Sequence, residues 1–124
     1  MSPTIESLEG KVWPEPEFRS SFDLAAHALR KKPLNEITPG ELRVAFSDDV
    51  GADWLKTRVL EVLGKLPEIN ATYFPGDLLL AVMRSRQFQS DEEFRSRIVE
   101  CADRALKYIS DPKSRDQIQA LKKG

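Results

Sequence analysis

The chain has 124 residues, 40% of them apolar and 31% charged, with 19 basic side chains against 20 acidic ones. That length suits one core of about 100–150 residues rather than two, and the near-zero balance excludes the basic excess of a general nucleic-acid binder. One cysteine excludes an internal disulfide framework, one histidine excludes a histidine-rich metal site, and no apolar run approaches the roughly 18 residues that cross a bilayer.

Residues 1–10 carry no apolar stretch of the signal-peptide kind, so a soluble, cytosolic chain is expected. Thr4 to Leu8 spells a single helical turn, capped by Thr4 and stopped by Gly10. Pro14 and Pro16 forbid helix between Val12 and Phe18, so residues 1–19 read as an N-terminal arm, extended there and docked through Trp13 and Phe18. The helical body is expected over residues 20–124. Its first helix runs from Ser20 or Ser21 to about Lys32, with Phe22, Ala25, Ala26 and Leu29 on one face. Arg30, Lys31 and Lys32 suit the negative end of its dipole, and Pro33 stops it.

Thr38-Pro39-Gly40-Glu41 spells a capping box with proline at the first helical position, followed by the apolar stripe Leu42, Ala45 and Phe46. Asp48 or Asp49 reads as the cap of a helix through Trp54 to Leu66, facing the core with Leu55, Val59, Val62, Leu63 and Leu66. After a loop from Asn70 to Phe74, Pro75-Gly76-Asp77 opens a helix whose residues Leu78 to Met83 are apolar all round. That helix should be the central one. Ser90 and Glu93 form a second capping box, and Phe94, Ile98, Cys101, Ala102, Ala105 and Ile109 predict a long helix ending near Ser110. Asp111-Pro112 starts the last helix, with Ile118 and Leu121 on one side. Few windows alternate with period two. The expected fold is all-α: a compact single-domain bundle of five to six helices with an extended N-terminal arm. Pro39–Phe46 echoes Pro75–Val82, but two copies of a proline-started helix are fewer than a solenoid needs.

Catalytic chemistry finds little support. His27 lies about 140° from Phe22 on its helix, off the apolar stripe, with no partner at triad-like spacing. Cys101 falls on an apolar face, where burial suppresses the thiolate. The six glycines are scattered, so there is no phosphate loop, and Asp48, Asp49 and Asp53 lack the ligand pattern of a calcium loop. No cofactor, metal or catalytic residue is expected. Charge, however, is uneven: residues 1–53 carry net −4, residues 54–90 net +2 and residues 91–124 net +1. An acidic face of this kind suits capture of a basic partner, although a solvated mixed surface accounts for the same charges.

Three segments together resemble a known family: Leu8-Glu9 with Trp13, Pro16 and Phe18; Leu29 to Thr38 with Glu41-Leu42-Arg43; and Tyr73-Phe74-Pro75-Gly76-Asp77-Leu78-Leu79. In this order they look like immunity proteins of bacterial contact-dependent growth inhibition (CDI) systems, over about Thr4 to Phe94. The resemblance implies a non-enzymatic inhibitor that binds the toxic C-terminal domain of a large surface-delivered effector, in many cases a nuclease. The balanced charge and the lack of a spanning apolar run predict no nucleic-acid or membrane contact of its own, and no helix shows a second apolar stripe, so a monomer or a 1:1 complex with the toxin is expected. Ala45 to Trp54 departs from the family pattern, and three acids cluster there. Asp48, Asp49 and Asp53 are therefore the first candidates for the toxin-binding face, with Glu15 and Glu17 second. A helical adaptor for another protein partner is the alternative reading, and an enzyme built on His27 a third.

Overall fold

The computed structural model describes residues 3–10 and 28–123, and among these the fold is all-α. We number its helices α1 (Ile5–Glu9), α2 (residues 28–31), α3 (Pro39–Ser47), α4 (Lys56–Lys65), α5 (Asp77–Met83), α6 (Arg86–Ser90), α7 (Glu92–Ala105) and α8 (Pro112–Lys122). Among the described residues five of them reach seven residues or more, and short 3-10 turns lie at Leu34–Glu36 and Ala52–Trp54. The extended stretch expected around Val12 to Phe18, with its Trp13 and Phe18 anchors, lies outside the described residues, as does the part of the first expected helix before residue 28.

Local signals near the N-terminus act as read. Thr4 Oγ1 accepts from the Ser7 N–H at 3.0 Å, and Gly10 closes α1 at φ +70°. Thr4 then bridges to Pro33, and the Leu34 N–H donates to the Pro3 carbonyl at 2.8 Å, which ties α1 to the exit of α2. Arg30 does more than answer a helix dipole: its side chain is 1% exposed and Nη2 meets Glu9 Oε1 at 2.5 Å. The one buried residue of α1, Ile5, lies over Gly51, where a Cβ would sit 2.7 Å from Ile5 Cγ2. Gly51 also holds φ +64°, so both sterics and backbone call for glycine.

The capping box at Thr38 forms in full. Thr38 Oγ1 accepts from the Glu41 N–H, the Glu41 carboxylate accepts from the Thr38 N–H, and Lys32 Nζ reaches Glu41 Oε1 at 2.8 Å. Burial alone would raise the Glu41 carboxyl, yet these Lys32 and Thr38 contacts hold it below its ordinary range.

The next segment corrects the sequence expectation. Asp48 and Asp49 do not cap α4. Asp48 ends α3, its N–H donating to the Val44 carbonyl, and the Val50 N–H donates to Ala45 O at 2.9 Å. Asp49 takes φ +54° and Gly51 follows in the same left-handed region, which reverses the chain around buried Val50. A 3-10 turn intervenes, and α4 begins only at Lys56, after Leu55, without a side-chain cap. Leu55, Val59 and Leu63 are buried as the stripe predicts, whereas Leu66 lies past the helix end, 45% exposed.

All seven residues of α5 are buried, and α5 touches α3, α6, α7 and α8, so it is the hub of the core. Phe46 of α3 stacks on Phe94 of α7 across that core, ring centroids 6.1 Å apart. Between α5 and α7 lies α6, which the sequence reading passed over. Ser90 is its last residue, so the expected Ser90–Glu93 box is displaced by one position: Asp91 caps α7, accepting from the Phe94 N–H at 3.1 Å. Helix α7 also stops at Ala105 instead of running to Ser110. The stripe nonetheless continues, because the turn after it donates the Ile109 N–H to Ala105 O and returns Ile109 to the core. Asp111 caps α8 as read, and Ile118 is fully buried. No helix among the described residues is long and apolar enough to cross a membrane.

Candidate functional site

The loop before α5 is organised by one carboxylate. Asp77 is 4% exposed, and it accepts the N–H groups of Ala71, Thr72 and Tyr73 at 2.7, 2.9 and 2.8 Å. Burial pushes its carboxyl up from the ordinary 3.8, but the N–H donors of Tyr73, Ala71, Thr72 and Leu78 prevail and hold it lower. Gly76, at φ +90°, sits against Ile109, where a Cβ would come 2.7 Å from Ile109 Cδ1. Loop 70–76 is thereby fixed at one end by an ionised acid and at the other by contact with the turn between α7 and α8.

That rigid loop holds aromatic rings outside the core. Tyr73 is 71% exposed and Phe74 is 39% exposed. The Arg43 guanidinium lies over the Tyr73 ring, 4.8 Å from its centroid, and Arg43 Nε donates to Thr72 Oγ1 at 3.0 Å. Between α3 and α5 this leaves a cleft of about 330 Å³, walled by Arg43, Tyr73, Phe74 and Arg84 and floored by Phe46 and Leu80. On the far side of Phe74 a second hollow of about 250 Å³ runs to Tyr108, which is 69% exposed.

The acidic turn adjoins the cleft, since Ser47 lines the cleft and Asp48 follows it in the chain. Asp48, Asp49 and Asp53 are all exposed. Two of them are brought together by α6: Gln87 Nε2 donates to Asp49 Oδ1 at 3.1 Å and to Asp53 Oδ1 at 3.2 Å. Arg86 Nη2 stands 3.3 Å from Asp49 Oδ2 and 3.9 Å from Asp53 Oδ2. Asp48 makes no ion pair among the described residues. Glu15, Glu17 and His27 lie outside the described residues.

Cys101 is buried on α7, and burial pushes its thiol above the ordinary 9.0, which leaves little thiolate at neutral pH. Among the described residues no three His, Cys, Asp or Glu side chains are grouped to hold a metal ion. Reading the sequence missed Arg43, Arg84, Tyr73 and Phe74 as one surface. Two adjacent aromatics in a loop, between Thr72 and Pro75, were the available signal; the arginines gave none, because only the packing of α3 on α5 brings them together.

Among the described residues, fold and site define an all-α protein whose outward chemistry is aromatic, guanidinium and carboxylate groups around shallow clefts. Residues 7–98, well over half of the chain, match the family model of CDI immunity proteins, and the chain belongs to that family. No curated protein and no solved structure matches it.

Proposed function

We propose that this protein binds the toxic C-terminal domain of its cognate contact-dependent growth inhibition effector, one to one, in the cytoplasm, and neutralises it without catalysis. The family match over residues 7–98 carries the reading. The finer part concerns how. A nuclease must display basic groups to hold phosphate, and carboxylates on an inhibitor replace phosphate oxygens there through charge-assisted hydrogen bonds. Asp48, Asp49 and Asp53 are our candidates for that contact, with Glu15 and Glu17 as second choices. The exposed turn supports it, because its two left-handed residues fix where the acids project. Arg86 and Gln87 tether Asp49 and Asp53 in place, and the cation an incoming base has to displace from them is the exposed Arg86.

Co-expression with the toxin domain encoded directly upstream tests the function: growth is expected with this protein and arrest without it. Arrest in the presence of abundant folded protein would remove the reading. For the acids, the variant Asp48→Lys, Asp49→Asn, Asp53→Lys keeps a residue tolerant of left-handed φ at position 49. It should associate with the toxin about tenfold or more slowly at low salt, because charge steering acts on the encounter rate. An unchanged association rate would place the contact elsewhere.

A further inference from the structure

Two guanidiniums and two outward aromatic rings around an apolar floor ask for a partner that the acidic turn does not describe. Phe46 and Leu80 at the floor of the α3–α5 cleft offer only carbon to what enters, so an apolar tip fits there. The walls are cationic. Arg84 is exposed and makes no ion pair among the described residues, and Arg43 spends its side chain on Tyr73 and Thr72 rather than on a carboxylate. Asp77 also borders the cleft, but both its oxygens are committed to backbone N–H groups, so its charge remains while neither oxygen is free to bond a ligand. A ligand in this cleft therefore meets two cations against one acid, a net positive wall with no carboxylate oxygen free to accept from it.

The shape favours a macromolecule over a small molecule. Pockets for small ligands enclose most of the ligand's surface, whereas Tyr73 stands 71% exposed on the rim, where an enclosed ligand would not reach it, and the aromatic surface continues past Phe74 to Tyr108 in the neighbouring hollow. Protein interfaces place their binding energy on rigid Tyr, Trp and Arg side chains around a desolvated centre. Rigidity is built in here by the Asp77 carboxylate and by the contact of Gly76 with Ile109. Little ordering of the loop then remains to oppose binding.

We propose that the cleft between α3 and α5 is a second contact for the toxin domain, which inserts there an apolar side chain flanked by carboxylates. This rests on the immunity reading above but not on the placement of the acidic turn. The protein would then hold its partner with charges of both signs, acids on the turn and arginines on the cleft, and an oppositely patterned toxin alone satisfies both.

The test uses the whole protein and the upstream-encoded toxin domain, with dissociation followed by surface-based kinetics. Tyr73→Ala with Phe74→Ala should dissociate about tenfold faster or more, as expected for anchor residues. Arg84→Glu should weaken binding by a similar factor and Arg84→Lys should recover most of it, since charge rather than the guanidinium fork is invoked. All these side chains are exposed, so melting temperatures should stay within a few degrees of the parent, and Leu8→Ala, on α1, serves as the control. Variants that bind like the parent overturn the proposal and leave the immunity reading standing. A parent protein that fails to bind the domain takes both away. Parent self-association abolished by Tyr73→Ala would give the cleft to a second copy of this chain and overturn the proposal as well.

Discussion

Asp77 concentrates the local chemistry of the molecule, because a single side chain decides whether a seven-residue loop has one conformation. Three consecutive N–H groups in loop 70–76 point at its carboxylate, and each bond to an ionised acceptor contributes more than a neutral one. Asp77→Asn keeps the shape and one accepting oxygen but loses the charge, and turns a donor toward the loop N–H groups. A loss of about 2–3 kcal/mol in urea unfolding is expected, from one unsatisfied buried group and weaker remaining bonds. The pH dependence follows from the direction of its shift. The folded carboxyl is held below the ordinary 3.8, so its contribution is fully present above that value and fades as pH falls through the lower folded value. Unfolding free energy of the parent should thus fall more steeply between pH 4 and pH 2 than that of Asp77→Asn. Parallel curves would mean that the charge of Asp77 does not hold the loop.

Helix starts were legible wherever the signal was local. Thr38, Pro39 and Glu41 act within four residues, and so do Asp111 with Ser114. The reading failed where the deciding contact was distant. Nothing within a few residues of Asp48 says that Gly51 must accommodate Ile5 from forty-odd positions earlier, yet that contact and buried Val50 set the reversal that denies α4 an acidic cap. Helix α6 has five residues, too few to display a helical period, and its presence moves the following cap by one place. The displaced cap yields a direct check: Asp91→Ala should lower the melting temperature measurably, because it removes both the α7 cap and the ion pair with Lys56 at 2.9 Å. Ser90→Ala should not, since the Ser90 hydroxyl only donates to the Arg86 carbonyl on an exposed helix end. Equal losses for the two would restore the cap to Ser90. The same division applies to the site. The Tyr73-to-Asp77 run is visible as a motif, but its meaning depends on Arg43 and Arg84, which meet only across α3 and α5.

At the scale of the whole molecule, α5 serves both core and surface, and two neighbouring leucines separate those duties. Leu79 is fully buried and does not line the cleft, whereas Leu80 forms part of the cleft floor. Truncating either leaves a cavity at the hub against which α3, α6, α7 and α8 pack, at a cost of about 2.5–5 kcal/mol. Domains of this size are stable by about 5–15 kcal/mol, so either change leaves a large share of molecules folded but lowers their abundance in the cell. Leu79→Ala should therefore reduce protection in step with soluble protein, while the affinity of the folded fraction for the toxin domain stays at the parent value. Leu80→Ala should reduce stability by a comparable amount and weaken affinity too, because the floor that receives the partner is hollowed. Urea midpoints with unchanged slope, measured beside dissociation constants for the two variants, separate these outcomes. Equal affinities for Leu79→Ala and Leu80→Ala would make the cleft floor a matter of folding alone, and the toxin would then be held by the rim and the acidic turn.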